Sequence, residues 1–320
     1  MSPAIYAIAA IIVGFILLTW SADRFVGGAA ATARNWGISP MLIGLTVVSI
    51  GTSAPEILVS LMSAIQEHTD IAVGNAIGSN IANMGLVLGI TALIAPLPVK
   101  TALAKREIPW LLFVTVIAGA CLANNYLGLT ESLVLLSGLF VTLYLMVIWQ
   151  KAHPEEPLAE AEEIEDLPSG RAYLELVGGL VLLLISAQIL VWGAKEIATL
   201  LGVSELVVGL TVVAIGTSLP ELAASVASAI RGHHDIALGN VVGSNIFNLL
   251  AVLSMPGLVA PGPLNESVFS RDYTVMLAFT VLVAAMAMLG KKPKTLGRFA
   301  GIILLAGYAC YGTWLYLQTV

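Results

Sequence analysis

The chain has 320 residues, 58% hydrophobic and 11% charged, with a mean hydropathy of +0.95. An ordinary soluble domain carries about 25% charged residues, so a water-soluble globule is excluded. A net charge of -6, with only 14 lysines and arginines, excludes nucleic acid and a polybasic grip on anionic lipid, so any ligand is to be sought inside the membrane.

At about 20 apolar residues per span, the runs predict ten helices, at 4–22, 40–65, 71–96, 107–123, 130–149, 174–193, 205–230, 235–258, 273–290 and 299–318. No separate soluble domain fits beside them. The first run lacks the basic start of a signal peptide and its later residues recur in the second half, so it is expected to remain in the mature protein. Cys121 and Cys310 lie in apolar stretches without disulfide or zinc spacing and read as small core residues. Between the fifth and sixth spans, 150–172 holds Glu155, Glu156, Glu160, Glu162, Glu163, Glu165 and Asp166 among three prolines, a solvated acidic linker. It lacks the spaced glycine and terminal glutamate of a calcium-binding EF-hand loop. Odd-numbered connections carry Arg24, Arg34, Lys100, Lys105, Arg106, Lys151, Arg171, Arg231, Lys291, Lys292, Lys294 and Arg298, and even ones only Lys195 and Arg271. Because cytoplasmic loops hold the excess of basic residues, the linker is expected inside and both termini outside.

The chain matches itself at an offset of 165 residues. GLTVVSIGTSAPE (44–56) meets GLTVVAIGTSLPE (209–221), DIAVGNAIGSNIAN (70–83) meets DIALGNVVGSNIFN (235–248), and 26 of the 40 positions in 44–83 are identical. The alignment runs back without a gap to Gly14 and Gly179, through Ser21 and Ser186. This predicts an all-α polytopic membrane protein of two five-helix halves, 1–149 and 173–320, around the linker. Five spans being an odd number, the second half is inverted, an arrangement by which several carriers build one midplane site open to either side in turn.

Glu56 and Glu221 lie near the middle of the second and seventh spans, at the same place in the two repeats. A carboxylate at that depth costs about 2.5–3.5 kcal/mol on insertion scales, and cation binding supplies a compensating reason. Around them, Ser49, Thr52, Ser53, Ser60 and Ser63 share a helix face with Glu56, and Thr217, Ser218, Ser225 and Ser228 with Glu221. Asn75, Ser79 and Asn83 recur every four residues in the third span, and Asn240, Ser244 and Asn248 in the eighth. Such an oxygen set suits hard cations such as calcium and sodium and disfavours zinc or copper. His68, His153, His233 and His234 fall in turns or the linker and read as solvated. Pro55 and Pro220, each preceding a glutamate, lack an N–H and clash with the carbonyl four residues back, that of Gly51 or Gly216. The helices are expected to break there and offer carbonyl ligands, which is tolerated where they line a wet cavity.

GTSAPE with GSNIAN, and GTSLPE with GSNIFN, resemble the two alpha-repeats of the cation/calcium exchanger superfamily, in its sodium/calcium branch, and the resemblance covers essentially the whole chain. It implies a five-plus-five inverted-repeat antiporter carrying calcium and sodium ions, with no enzymatic reaction, no cofactor and no obligatory protein partner beyond the lipid bilayer. By motif position, calcium would bind Glu56, Glu221 and the backbone oxygens of Thr52 and Thr217. Sodium sites would draw on Ser49, Ser53, Ser79, Ala214, Ser218 and Ser244 and on the same threonines and glutamates, with Asn83 and Asn248 bordering the central site. Asn248 stands where potassium-dependent relatives carry an aspartate, which disfavours potassium co-transport. The linker is too short for the regulatory domain of animal exchangers. The resemblance further suggests that the first and sixth spans slide as a gating pair, and a prokaryotic plasma membrane fits the chain. Rival readings are a proton/calcium exchanger of the same fold, a cation channel whose filter uses the same oxygens, and a non-transporting scaffold.

Overall fold

The structure, a computed structural model, describes residues 3–152, 166–201, 214–289 and 294–319. Gly209–Val213 of the second motif, Glu205, His153, Glu155, Glu156, Glu160, Glu162, Glu163, Glu165, Lys291 and Lys292 lie outside the described residues. The described chain is helical apart from two pairs of two-residue strands.

Helix α1 (Pro3–Trp36) is far longer than the apolar run at 4–22. Small residues from Gly27 to Ala31 continue it past Asp23 and Arg24, whose charges are matched by Arg231 and Glu175, so Asp23 stands inside the helix. It stops at Gly37, whose φ of 65° is the left-handed conformation that suits a helix end. Ser39 then caps α2 (Pro40–Thr52) by accepting from the Leu42 amide at 3.2 Å, with Pro40 at the first helical position. α2 meets α3 (Ala54–Ile65) at a 45° bend.

Next come α4 (Thr69–Ile94), β1 (Leu97–Pro98), and a π-helical turn (Leu103–Glu107) leading into α5 (Ile108–Leu122). β2 (Tyr126–Leu127) and α6 (Leu129–Ala152) complete this half. The second half runs α7 (Ser169–Leu200), α8 (Ala214–Thr217), α9 (Leu219–Ile230), α10 (His234–Val259), β3 (Gly262–Pro263), α11 (Val268–Leu289), β4 (Thr295–Leu296) and α12 (Arg298–Thr319). Like α1, α7 outruns its predicted span.

Seven described helices are long and apolar enough to cross a membrane, or eight with the bent pair α2–α3 as one span. The predicted fourth span is the 15-residue α5, and the predicted seventh is described only as α8 and α9. Burial divides the helices into centre and shell: 94% of the apolar window of α10 and 72% of that of α4 is buried, against 22% of α1 and 11% of α12. The shell turns Phe15, Leu174 and Phe299 outward, as lipid-facing helices do. Cys121 is half-buried, but Cys310 is exposed on α12 and is not a core residue.

Contacts recur at the 165-residue offset. The hydroxyls of Ser21 and Ser186 lie 3.4 Å apart where α1 crosses α7. A Cβ on Gly14 would stand 3.0 Å from the Leu190 nitrogen, and one on Gly179 2.6 Å from that of Phe25, the residue at the place of Leu190. β1 pairs with β4 and β2 with β3, each joining one half to the other.

The crossing is tightest at Gly28, where a Cβ would lie 2.3 Å from the Leu176 nitrogen. Gly28→Val is expected to force α1 and α7 apart and destabilise the protein by about 1–3 kcal/mol, read as a lower melting temperature in detergent. Gly312→Ala, on the exposed face of α12 with nothing nearby, leaves the melting temperature within about 1 °C or raises it slightly.

Candidate functional site

The two motif helices do not bend at their prolines. Each breaks two residues earlier, at Ser53 (φ -81°, ψ 9°) and Ser218 (φ -86°, ψ 4°), leaving Pro55 and Pro220 in the first turn of α3 and α9, where a missing N–H is not needed. The Ile57 amide still reaches the Ser53 carbonyl (3.2 Å) and the Leu222 amide that of Ser218 (3.0 Å), but no helical bond joins the Glu56 amide to the Thr52 carbonyl. That carbonyl is therefore without its helical partner, whereas the proline argument points to the carbonyls of Gly51 and Gly216.

Glu56 and Glu221 follow the breaks in the first turns of α3 and α9, and both are fully buried. Ser53, at the break of the first half, donates to Glu221 Oε1 at 2.9 Å, so the Glu221 carboxylate sits at the broken turn of the other half. Among the described residues no basic side chain pairs with either carboxylate.

Around them lies a concentration of buried polar atoms without hydrogen-bond partners. Glu56 Oε2, Glu221 Oε2, Ser218 Oγ, Ser244 Oγ and both amide atoms of Asn83 and Asn248 are all orphaned. Buried polar groups are ordinarily satisfied, so these six residues keep hydrogen-bonding or ligand capacity that the protein itself does not use. Asn83 and Asn248 each open a π-helical turn, Asn83–Val87 and Asn248–Val252, a widening that recurs at functional sites. Ser79 reaches Glu56 Oε1 only at a long 3.5 Å.

Other predicted members take part differently. Ser49 is turned back on its own helix, donating to the Leu45 carbonyl at 2.7 Å. Thr52 Oγ1 donates to Asn240 Oδ1 (3.2 Å) and more weakly to the Ser49 carbonyl (3.4 Å). Thr217 is half-buried beside the second break, and Ala214 opens α8. Ser63 is half-buried, whereas Ser60, Ser225 and Ser228 are fully buried.

Asn75 and Asn240, placed by periodicity on the ligand faces, use their amides as braces. Asn75 Nδ2 donates to the Glu56 carbonyl and to Ser60 Oγ, both at 3.0 Å. Asn240 Nδ2 donates to the Glu221 carbonyl at 3.2 Å and to Ser225 Oγ at 2.9 Å. The same clamp thus ties each motif glutamate's backbone to the following helix. Its residues were visible in the repeat, but spacing alone does not separate a donor aimed at a neighbouring carbonyl from an oxygen aimed at an ion.

Of the histidines, His68 is exposed, but His233 is 8% exposed and not solvated. Its amide donates to the Ser228 carbonyl at 2.8 Å, pulling the tight turn after α9 back onto that helix. No described group of three or more histidine, cysteine or acidic residues forms a metal cluster, so the centre's donors are oxygens from scattered hydroxyls, amides and two carboxylates.

By fold the molecule is a polytopic helical membrane protein, and by donor chemistry its centre suits hard cations. The chain belongs to the sodium/calcium exchanger protein family, whose model matches residues 6–150 and 172–317, a family of transporters and not of enzymes. It is similar to CaxA of Alkalimonas amylolytica, 48% identical over 305 residues that cover 94% of this chain and 96% of the relative. It is also similar to the sodium/calcium exchanger MaX1 of Methanosarcina acetivorans, 32% identical over 94% of this chain and 96% of that one. A structure of the sodium-calcium exchanger NCX_Mj, soaked with sodium and strontium, superposes with a TM-score of 0.83 at 34% identity, covering 96% of this chain and 97% of that chain.

The braces yield a graded expectation. Asn240→Ala deletes three hydrogen bonds at a fully buried position and is expected to cost about 1–3 kcal/mol. Asn75→Ala deletes two at a half-buried position and costs less. Melting temperatures in detergent measure both, and equal effects would contradict the account.

Proposed function

We propose that the chain is a secondary active antiporter exchanging sodium for calcium by alternating access, with the ions competing for one midplane site between two inverted five-helix repeats. The observation that carries this reading is the pair of buried carboxylates that have no basic partner among the described residues, accompanied by unpartnered hydroxyl and amide oxygens of the same motifs. Family membership and the likeness to two named sodium/calcium exchangers support it.

The mechanism follows from charge. Two carboxylates carry about -2, which one calcium ion neutralises. Calcium takes six to eight oxygens at about 2.3–2.6 Å, and the centre offers Glu56, Glu221, the Thr52 and Thr217 carbonyls and the amide oxygens of Asn83 and Asn248. Sodium ions drawing on Ser49, Ser53, Ser79, Ala214, Ser218 and Ser244 share the threonines and glutamates and so compete for the same negative charge. An empty, charged site is costly to carry through an occluded state, and either loaded form is less so; this couples the two ions into exchange. The reading places residues 1–149 and 173–320 as the two halves, the 150–172 linker on the cytoplasmic side of a plasma membrane and both termini outside.

Calcium uptake into proteoliposomes loaded with sodium is expected, and none when potassium replaces sodium. Glu56→Gln and Glu221→Gln are each expected to reduce that uptake to background. Uptake driven only by a pH gradient would overturn the sodium assignment, and full flux in either variant would overturn the site.

A further inference from the structure

Where α1 meets the end of α9, Arg231 reaches across. Its Nε donates to Asp23 Oδ1 at 2.5 Å and its Nη2 to Oδ2 at 2.8 Å, a two-pronged pair between one half of the chain and the other. Gly27, one turn beyond Asp23, makes the room, since a Cβ there would stand 2.9 Å from Arg231 Nη1. Beside this pair, Ala223 and Ala227 of α9 join Leu18, Ala22 and Phe25 of α1 in one apolar cluster.

The 165-residue offset puts different residues at the places of the ion pair, of Gly27 and of the two α9 alanines. Gln188, Trp192 and Gln66 stand for Asp23, Gly27 and Arg231, and Leu58 and Met62 for Ala223 and Ala227. An ion pair is chemically impossible between two glutamines, and the indole fills the place of the glycine. Leu58 and Met62 are 62% and 52% exposed, and among the described residues α7 makes no packing along α3 comparable to that of α1 along α9. One end is seated and fastened, and its counterpart lies uncovered.

We infer that the Asp23–Arg231 pair is a one-sided latch that favours the conformation with α1 seated on α9 over the one with α7 seated on α3. The packing statement stands by itself; its consequence for transport, an unequal population of the two access states, rests on the antiport reading above. Two-pronged arginine–carboxylate contacts are the stronger form of a partly exposed ion pair, so losing this one is expected to shift that population by up to about fivefold.

Hydrogen exchange of the full chain in detergent, without calcium, tests the latch. Asp23→Asn and Arg231→Gln are each expected to raise exchange in 219–231 by about two- to fivefold and to leave 54–66 unchanged. Arg231→Lys, which keeps the charge but not the fork, falls between, and the swapped pair Asp23→Arg with Arg231→Asp regains protection. Unchanged exchange at 219–231 in monodisperse single variants, or a swapped pair as exposed as the single variants, would overturn the inference. Sodium-driven calcium flux of the unaltered protein is measured on the same preparation: its absence would refute the antiport reading while leaving the exchange result to decide the latch.

Discussion

Two carboxylates held together in the middle of a membrane protein, with no described arginine or lysine against either, are the constraint around which the rest is arranged. Glu56 and Glu221 are fully buried, and such groups are rare in membranes because water is missing where they most need it. The helices carrying them break at Ser53 and Ser218, and Asn83 and Asn248 of α4 and α10 keep buried amides without partners. Each feature would be a defect alone. Together they are the oxygen-rich surroundings that would suit a hard cation.

Doubling the motif builds this centre economically, and the copies brace each other. The clamp from Asn75 to Glu56 and Ser60 recurs from Asn240 to Glu221 and Ser225, while Ser53 and Thr52 reach into the other half. The symmetry is incomplete. Ser53 and Ser79 donate to glutamates, whereas their counterparts Ser218 and Ser244 have no partner. The Lys100–Asp235 ion pair is answered at the matching place by the Asn265 amide donating to Asp70 at 2.9 Å. Repeat-related places thus share geometry without sharing charge.

Much of this was legible in the residue order, and the failures have definite causes. The repeat, the position of both glutamates and the oxygen character of their surroundings follow from identity at a fixed offset and from helical spacing. Helix lengths did not, because hydropathy stops at Asp23 and Arg24 whereas helix propensity continues through the small residues beyond, and the charges find partners only in the folded state. Sequence places the break at the proline, yet a proline settles into a first turn and the serine two residues earlier absorbs the bend. Asn75 and Asn240 fall on the predicted face, but their bracing role is not legible in the sequence, since periodicity reports direction and not what an amide nitrogen meets. A histidine in a turn reads as solvated, but the turn at His233 folds back onto α9 and buries it.

Equilibrium binding of radioactive calcium to the detergent-purified protein, with sodium raised against choline at constant ionic strength, tests most directly whether the paired carboxylates form one shared seat. The account predicts one calcium per chain, displaced completely by sodium. Calcium retained at saturating sodium, or two calcium ions bound independently per chain, would contradict it.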